Sequence, residues 1–255
     1  MYDIEGVIRE NLLICRDFYR CKIELARPMG KVIPGQFIML KIPSAEVFLR
    51  RPFSIYDCAK QTVTILYKAV GKGTRALASA SRKERVMVLG PLGHGFEVHQ
   101  GYTPVLVAGG IGIAGLHLLW KQVKSKTSFF YGCSTEQEVS LLGGLTQRTA
   151  NEEPRVCTLD GSTGFCGNVV QLLENALPLL GEKPYVYACG PQPMFASLKA
   201  LLAEKKVPCQ VLVEERMACG AGLCFGCVKK THDEAEPYKR ACVEGPVFDL
   251  WQLSL

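Results

Sequence analysis

Three absences narrow what this sequence can be. No stretch reaches the roughly 18 uninterrupted apolar residues of a membrane-spanning helix. The opening Met1-Tyr2-Asp3-Ile4-Glu5 is acidic with no apolar run behind it, so no secretory leader is expected. No long run of like charge occurs: the net charge is +6, and even Lys229-Lys230 and Lys239-Arg240 flank Asp233, Glu234 and Glu236. A solvated surface is expected, not a nucleic-acid-binding stripe. Internal repeats and low-complexity tracts are also missing.

The 255 residues suffice for two domains and a small third module. Apolar residues make up 48% and charged residues 21%, enough to bury a core and too few charges for disorder. Twelve cysteines in a chain read as leaderless imply a reducing compartment, so the expected location is cytoplasmic.

Four of those cysteines, Cys219, Cys224, Cys227 and Cys242, are spaced C-x4-C-x2-C-x14-C, the ligand pattern of a plant-type [2Fe–2S] cluster. Glycines at 220, 222 and 226 let a tight loop bend round an inorganic core and turn N–H groups towards its sulfurs. A structural zinc site and four unrelated cysteines are the alternatives. Zinc loops more often pair two C-x2-C units or add histidines, and here there is one such pair and only His232 nearby. The remaining eight cysteines sit mostly in apolar contexts and read as small hydrophobes.

Residues 1–98 read as short strands between turns, including 36–42, 62–67 and 85–89, the last ending at the breaker Gly90-Pro91-Leu92-Gly93. One helix is expected over 74–80 with Thr74 as its N-cap. Strands without alternating helices suggest an antiparallel barrel. From residue 99 the pattern alternates. Strands at 105–108, 128–131, 156–159, 185–188 and 210–213 are separated by helices at 116–123, 136–142, 168–177 and 193–205. That is the signature of a doubly wound parallel sheet. The expected boundaries are 1–98, 99–214 and 215–255.

Gly110-x-Gly112-x-x-Gly115 directly follows a strand and opens a helix, the context of a dinucleotide-binding turn; a tight turn needing glycine only for packing is the plain alternative. Glu136 falls at the distance where such folds place a ribose-binding acid. No arginine lies nearby to receive a 2′-phosphate, which favours NAD over NADP. In the barrel half, Arg51-Pro52-Phe53-Ser54 offers a guanidinium for a flavin phosphate and a hydroxyl for the ring. Gly71-Lys72-Gly73-Thr74 offers an anion-binding helix start. His94 and His99 read as surface or satisfied histidines, and no catalytic acid or base stands out.

This order of parts resembles the ferredoxin-reductase family. Arg51-Pro52-Phe53-Ser54 matches its R-x-[YF]-[ST] flavin signature, and Cys189-Gly190-Pro191 matches its Cys-Gly-Pro motif beside the nicotinamide. Cys133-Ser134 stands where members often carry an arginine-containing stretch. With the cluster appended after Glu214-Glu215-Arg216-Met217-Ala218, the chain resembles the electron-transfer subunits of class 1B, NAD-dependent dihydroorotate dehydrogenases.

The resemblance implies an FAD-binding β-barrel, an α/β NAD domain and a C-terminal [2Fe–2S] module. FAD is expected at Arg51, Pro52, Phe53, Ser54, Leu66, Tyr67, Lys68, Gly73 and Thr74, and NAD at Gly110, Gly112 and Cys189. It further implies electron flow between an FMN-containing catalytic partner, in a heterotetramer of two copies of each subunit, and NAD, within pyrimidine biosynthesis. Leu223 and Phe225 would touch that partner or simply cover the cluster. A flavin and iron–sulfur subunit of a cytoplasmic hydrogenase or sulfide reductase is one alternative, and a zinc-stapled, non-enzymatic nucleotide-binding adaptor is another.

Overall fold

The structure is a computed structural model and describes residues 2–42, 47–145, 153–181 and 183–255. The first half forms seven strands: β1 (Tyr2–Cys15), β2 (Phe18–Leu25), β3 (Phe37–Lys41), β4 (Arg51–Ser54), β5 (Asp57–Ala59), β6 (Thr62–Lys68) and β7 (Arg85–Leu92). One helix, α1 (Lys72–Ala78), lies between β6 and β7. The strands pair antiparallel in the order β4-β3-β7-β1-β2-β6-β5. The two edge strands are consecutive in the chain, joined by Ile55 and Tyr56, so the sheet curls back on itself as a half-barrel. Ile4, Ile8, Cys21, Ile23, Ile38, Leu40, Val63 and Ile65 fill its interior. On β1 and β2 they alternate with more exposed residues, as the period of two demands, while β3 and β6 are buried on both faces.

Two local expectations are corrected. The helix begins at Lys72 with Gly71 as N-cap, and Thr74 sits at the third helical position. From there its hydroxyl accepts the N–H groups of Val70 and Gly71, so Thr74 closes a capping box from inside the helix. Strand β7 also runs through Gly90-Pro91 to Leu92. A register shift between Phe37 and Met39 on β3 accommodates it, and Pro in a sheet needs such an irregular position.

The second half holds β8 (Thr103–Gly109), α2 (Ile113–Gln122), β9 (Ser128–Cys133), β10 (Arg155–Thr158), β11 (Phe165–Cys166), α3 (Val169–Ala176), β12 (Pro184–Cys189), α4 (Gln192–Ala203) and β13 (Cys209–Leu212). Residues 136–144 form a 3-10 helix where an α-helix was expected over 136–142. The cluster module adds β14 (Val228–Lys230), β15 (Tyr238–Arg240) and β16 (Val247–Asp249). The sheet order is β11-β10-β9-β8-β12-β13-β16, parallel except for β16, which pairs antiparallel with β13. The C-terminal module is therefore stitched into the nucleotide domain and does not hang from it.

Both faces of this sheet are covered, so its strands read as continuous apolar runs. Leu106 and Ala108 pack towards α2, and Val105 and Val107 towards α3 and α4. The half-barrel docks on α2. His117, buried, stacks on Tyr56 at 3.8 Å between ring centroids and bonds the Tyr56 carbonyl through Nδ1 at 2.9 Å. Lys121 pairs with Asp57 beside it at 2.7 Å.

Candidate functional site

Strand β8 pairs with β9 on one side and β12 on the other. The strand order reverses there, and a crevice opens at the carboxyl ends of such strands. In this chain the crevice is about 480 Å³ and is walled by Gly109, Gly110, Ile111, Gly132, Cys133, Gly190 and Pro191, among others. Glycine is required at two of the turns for close approach. A Cβ on Gly109 would stand 3.0 Å from Pro191 Cδ, and one on Gly112 only 2.1 Å from the Cys189 carbonyl oxygen.

The three expected nucleotide residues thus separate. Gly110 lines the crevice. Gly112 is buried under the Cys189 backbone and serves close packing of the turn. Cys189 is fully buried, with its Sγ against Gly115, and its backbone, not its thiol, shapes the turn. Burial holds that thiol well above its ordinary pKa, so it stays neutral.

The acid at the crevice is Glu138, not the expected Glu136. Glu136 is exposed, whereas Glu138 is 6% exposed, lines the crevice and accepts the Ser134 N–H at 3.3 Å. Both are acidic and two residues apart, so spacing alone does not choose between them; the 3-10 geometry of 136–144 does.

A second cavity, about 380 Å³, lies between the half-barrel and the nucleotide domain. Pro52, Phe53, Ser54, Leu66, Tyr67, Lys68 and Thr74 line it. The other two expected flavin residues meet at its margin: Gly73 gives room to Arg51, whose Nε would lie 2.6 Å from a Cβ there. The slot is largely apolar, with Arg51 and the start of α1 beside its Pro52 and Thr74 walls. That donor set fits a flavin ring with its phosphates.

The two cavities share Lys68, Ile111 and Glu214. Glu214 is exposed along the cavity, and the partial desolvation of its carboxyl there raises its pKa. The flavin-side cavity is also lined by Phe37, Met217 and Pro246. Met217 is two residues before Cys219, and Phe37 belongs to the same buried cluster as Met39, Cys227 and Cys242.

The four cysteine thiols lie within reach of one another: Cys219 interacts with Cys224 and with Cys242, and Cys242 with Cys227. Cys227 and Cys242 are buried, while Cys224 is exposed and Cys219 half-exposed. The Ala221 N–H donates to Cys219 Sγ at 3.4 Å, and with the Cys224 and Leu223 N–H groups it lowers that thiol's pKa to about 6. Gly220 and Gly222, at φ +66° and +80°, turn the loop so that these N–H groups face inward. Four thiols in mutual reach, with N–H donors turned on Cys219 and Cys242, fit a [2Fe–2S] cluster. Leu223 and Phe225 project outward from this loop, 81% and 61% exposed.

His94 and His99 are satisfied by structure. His94 bonds the Val243 carbonyl at 2.6 Å, and His99 stacks on Tyr185 at 4.7 Å.

Comparison with known proteins agrees with this geometry. Residues 214–254 match the family model described as the iron–sulfur cluster binding domain of dihydroorotate dehydrogenase B. A protein of Lysinibacillus sphaericus named dihydroorotate dehydrogenase B (NAD(+)), electron transfer subunit, is 41% identical over 238 residues, 87% of each chain. One of the same name from Caldanaerobacter subterraneus subsp. tengcongensis is 38% identical over 216 residues, 84% of each. Among solved structures, the NADH-dependent reduced ferredoxin–NADP oxidoreductase matches with TM-score 0.82 and 24% identity, over 98% of this chain and 89% of that one. The ferredoxin reductase of carbazole 1,9a-dioxygenase matches with TM-score 0.67 and 19% identity, over 79% and 65%.

Proposed function

We infer the function of the chain from kinship and site together: it belongs to the family of electron-transfer subunits of NAD-dependent dihydroorotate dehydrogenase B. It is an oxidoreductase subunit that carries electrons from dihydroorotate oxidation in a catalytic partner to NAD, using a [2Fe–2S] cluster and FAD, in pyrimidine biosynthesis. The iron–sulfur family model sets aside the zinc-stapled adaptor. When bound, FAD exchanges hydride with NAD and single electrons with the cluster.

One observation carries the reading. The nucleotide crevice and the flavin-side cavity share Lys68, Ile111 and Glu214, and Phe37, on the flavin side, belongs to the same buried cluster as Cys227 and Cys242. The chain's own residues perform the positioning. Pro52, Phe53, Ser54, Leu66 and Tyr67 hold the flavin ring, with Arg51 and the turn at 71–74 at its phosphate end. Gly110 admits the nucleotide pyrophosphate, and Glu138 accepts from its ribose hydroxyls. Ile111, at the shared wall, excludes water where the two rings meet. Cys219, Cys224, Cys227 and Cys242 would hold the irons of the cluster.

The partner we assign is an FMN-containing catalytic subunit, two copies of each chain forming the assembly. Its docking face includes Leu223 and Phe225, beside the exposed thiol pair. No described helix is long and apolar enough to cross a membrane, and all twelve cysteines are free thiols, which supports a cytoplasmic assembly. The test is an anaerobic pull-down from native cells, assayed for dihydroorotate-dependent NAD reduction. Activity that disappears when the co-purifying partner is stripped supports the assignment. An eluate that oxidises NADH but ignores dihydroorotate moves the chain to another redox complex.

A further inference from the structure

The three-ligand loop and the fourth ligand are joined by one side chain. Arg240, at the end of β15 and two residues before Cys242, donates through Nη1 to the Gly222 carbonyl at 3.0 Å. Its guanidinium carbon lies 5.2 Å from the Phe225 ring centroid. Phe225 has φ +55°, a left-handed conformation that a non-glycine residue keeps only when its surroundings enforce it. Arg240 therefore grips the loop on both sides of Cys224. The rest of the guanidinium faces Glu244. Its Nε donates to both carboxylate oxygens, at 3.2 and 3.1 Å, and Nη2 pairs with Oε1. Glu244 Oε2 also accepts the Arg240 backbone N–H at 2.6 Å. The guanidinium is within electrostatic reach of the inner thiols, Cys227 and Cys242.

We propose that Arg240 and Glu244 are a balanced ion pair in which each charge offsets the other's effect on the reduction potential of the cluster, while Arg240 positions its loop. A cluster that accepts an electron gains one negative charge, and nearby charge is among the determinants of its potential. An unopposed cation stabilises the reduced form and an unopposed anion disfavours it. Together the two charges nearly cancel. The inference rests on the [2Fe–2S] reading of the four cysteines.

The experiment compares Arg240→Gln, Glu244→Gln and the double variant in the holo-complex by EPR-monitored redox titration, with iron and acid-labile sulfide measured alongside. Arg240→Gln is expected to make the cluster harder to reduce by about tenfold, about 59 mV for a one-electron couple. Glu244→Gln shifts it about as far the other way, and the double variant returns close to wild type. A merely structural pair predicts loss of iron without this opposition of sign. Shifts in the same direction, or no shift at full iron content, overturn the proposal. If Arg240→Gln sheds iron, Glu244→Gln decides alone, because the Gly222 bond survives in it; an unchanged potential there overturns the proposal. Wild-type protein lacking labile sulfide would instead overturn the cluster reading itself.

Discussion

Cysteine behaves in opposite ways in the sheets and in the C-terminal loop. Cys21, in the half-barrel, and Cys189 and Cys209, in the parallel sheet, are essentially inaccessible. Burial pushes Cys21 up to about 12 and the other two well above their ordinary value. Their strand neighbours spend their N–H groups on the sheet ladder, and burial outweighs even the Gly115 N–H that reaches Cys189, so the thiol acts as a small hydrophobe. Around Cys219 the loop makes no ladder, its N–H groups turn on the sulfur, and the pKa falls to about 6. Backbone donors thus set Cys219 apart, whereas burial pushes the inner ligand Cys242 up to about 12, as it does Cys21.

The largest expected effect would break that contrast by removing an inner ligand. Cys242→Ser should lose iron and sulfide, and dihydroorotate-dependent NAD reduction should fall to background. Cys21→Ala, equally buried but in the sheet, should leave both intact. Next comes the loop's outer face. Leu223→Asp with Phe225→Asp should abolish co-purification with the partner while the isolated chain keeps its flavin and melts normally; an assembly that survives assigns these side chains to covering the cluster. The sheet region fails differently. Gly112→Ala forces a methyl to within 2.1 Å of the Cys189 carbonyl oxygen, backbone that cannot step aside. Overpacking of this kind costs about 3 kcal/mol, and the melting point should drop by roughly 6–12 °C.

Much of this was legible in the sequence for the same reason that the contrast exists. Ligand spacing is a local property, so Cys219, Cys224, Cys227 and Cys242 could be separated from the other eight cysteines before any fold was known. The alternation of strands and helices after residue 99, and the flavin signature at residues 51–54, were equally local. Strand β1 was missed. Gly6, an inward position between Ile4 and Ile8, has no side chain with which to signal burial; its place is filled by Ile23 from β2. Glu138 was missed in favour of Glu136 because a 3-10 turn, not residue spacing, aims the side chain. That Lys68, an expected flavin residue, shares a wall with Ile111 and Glu214 was not legible, because the three come together only through the docking of separate domains.

The finest test of the contrast is chemical and needs no mutation. In chain freed of metal by chelation, alkylation by iodoacetamide reads out thiolate at each cysteine, since the thiolate is the nucleophile. A thiol whose pKa is lowered to about 6 is ionised at pH 7 and loses reactivity only as the pH falls through about 6. Cys219 should therefore label readily at neutral pH, with its rate halved near pH 6. A thiol whose pKa is raised remains neutral as well as inaccessible, so Cys189 and Cys209 should stay unlabelled until the chain unfolds. Exposed Cys166, on the edge strand β11 of the parallel sheet, reports the reagent in the same tube. Peptide mapping by mass spectrometry checks the order. Labelling of Cys219 that rises only above pH 8 would mean that the loop donors form around a bound cluster and are not held ready by the fold, leaving the two regions differing in composition but not in preorganisation.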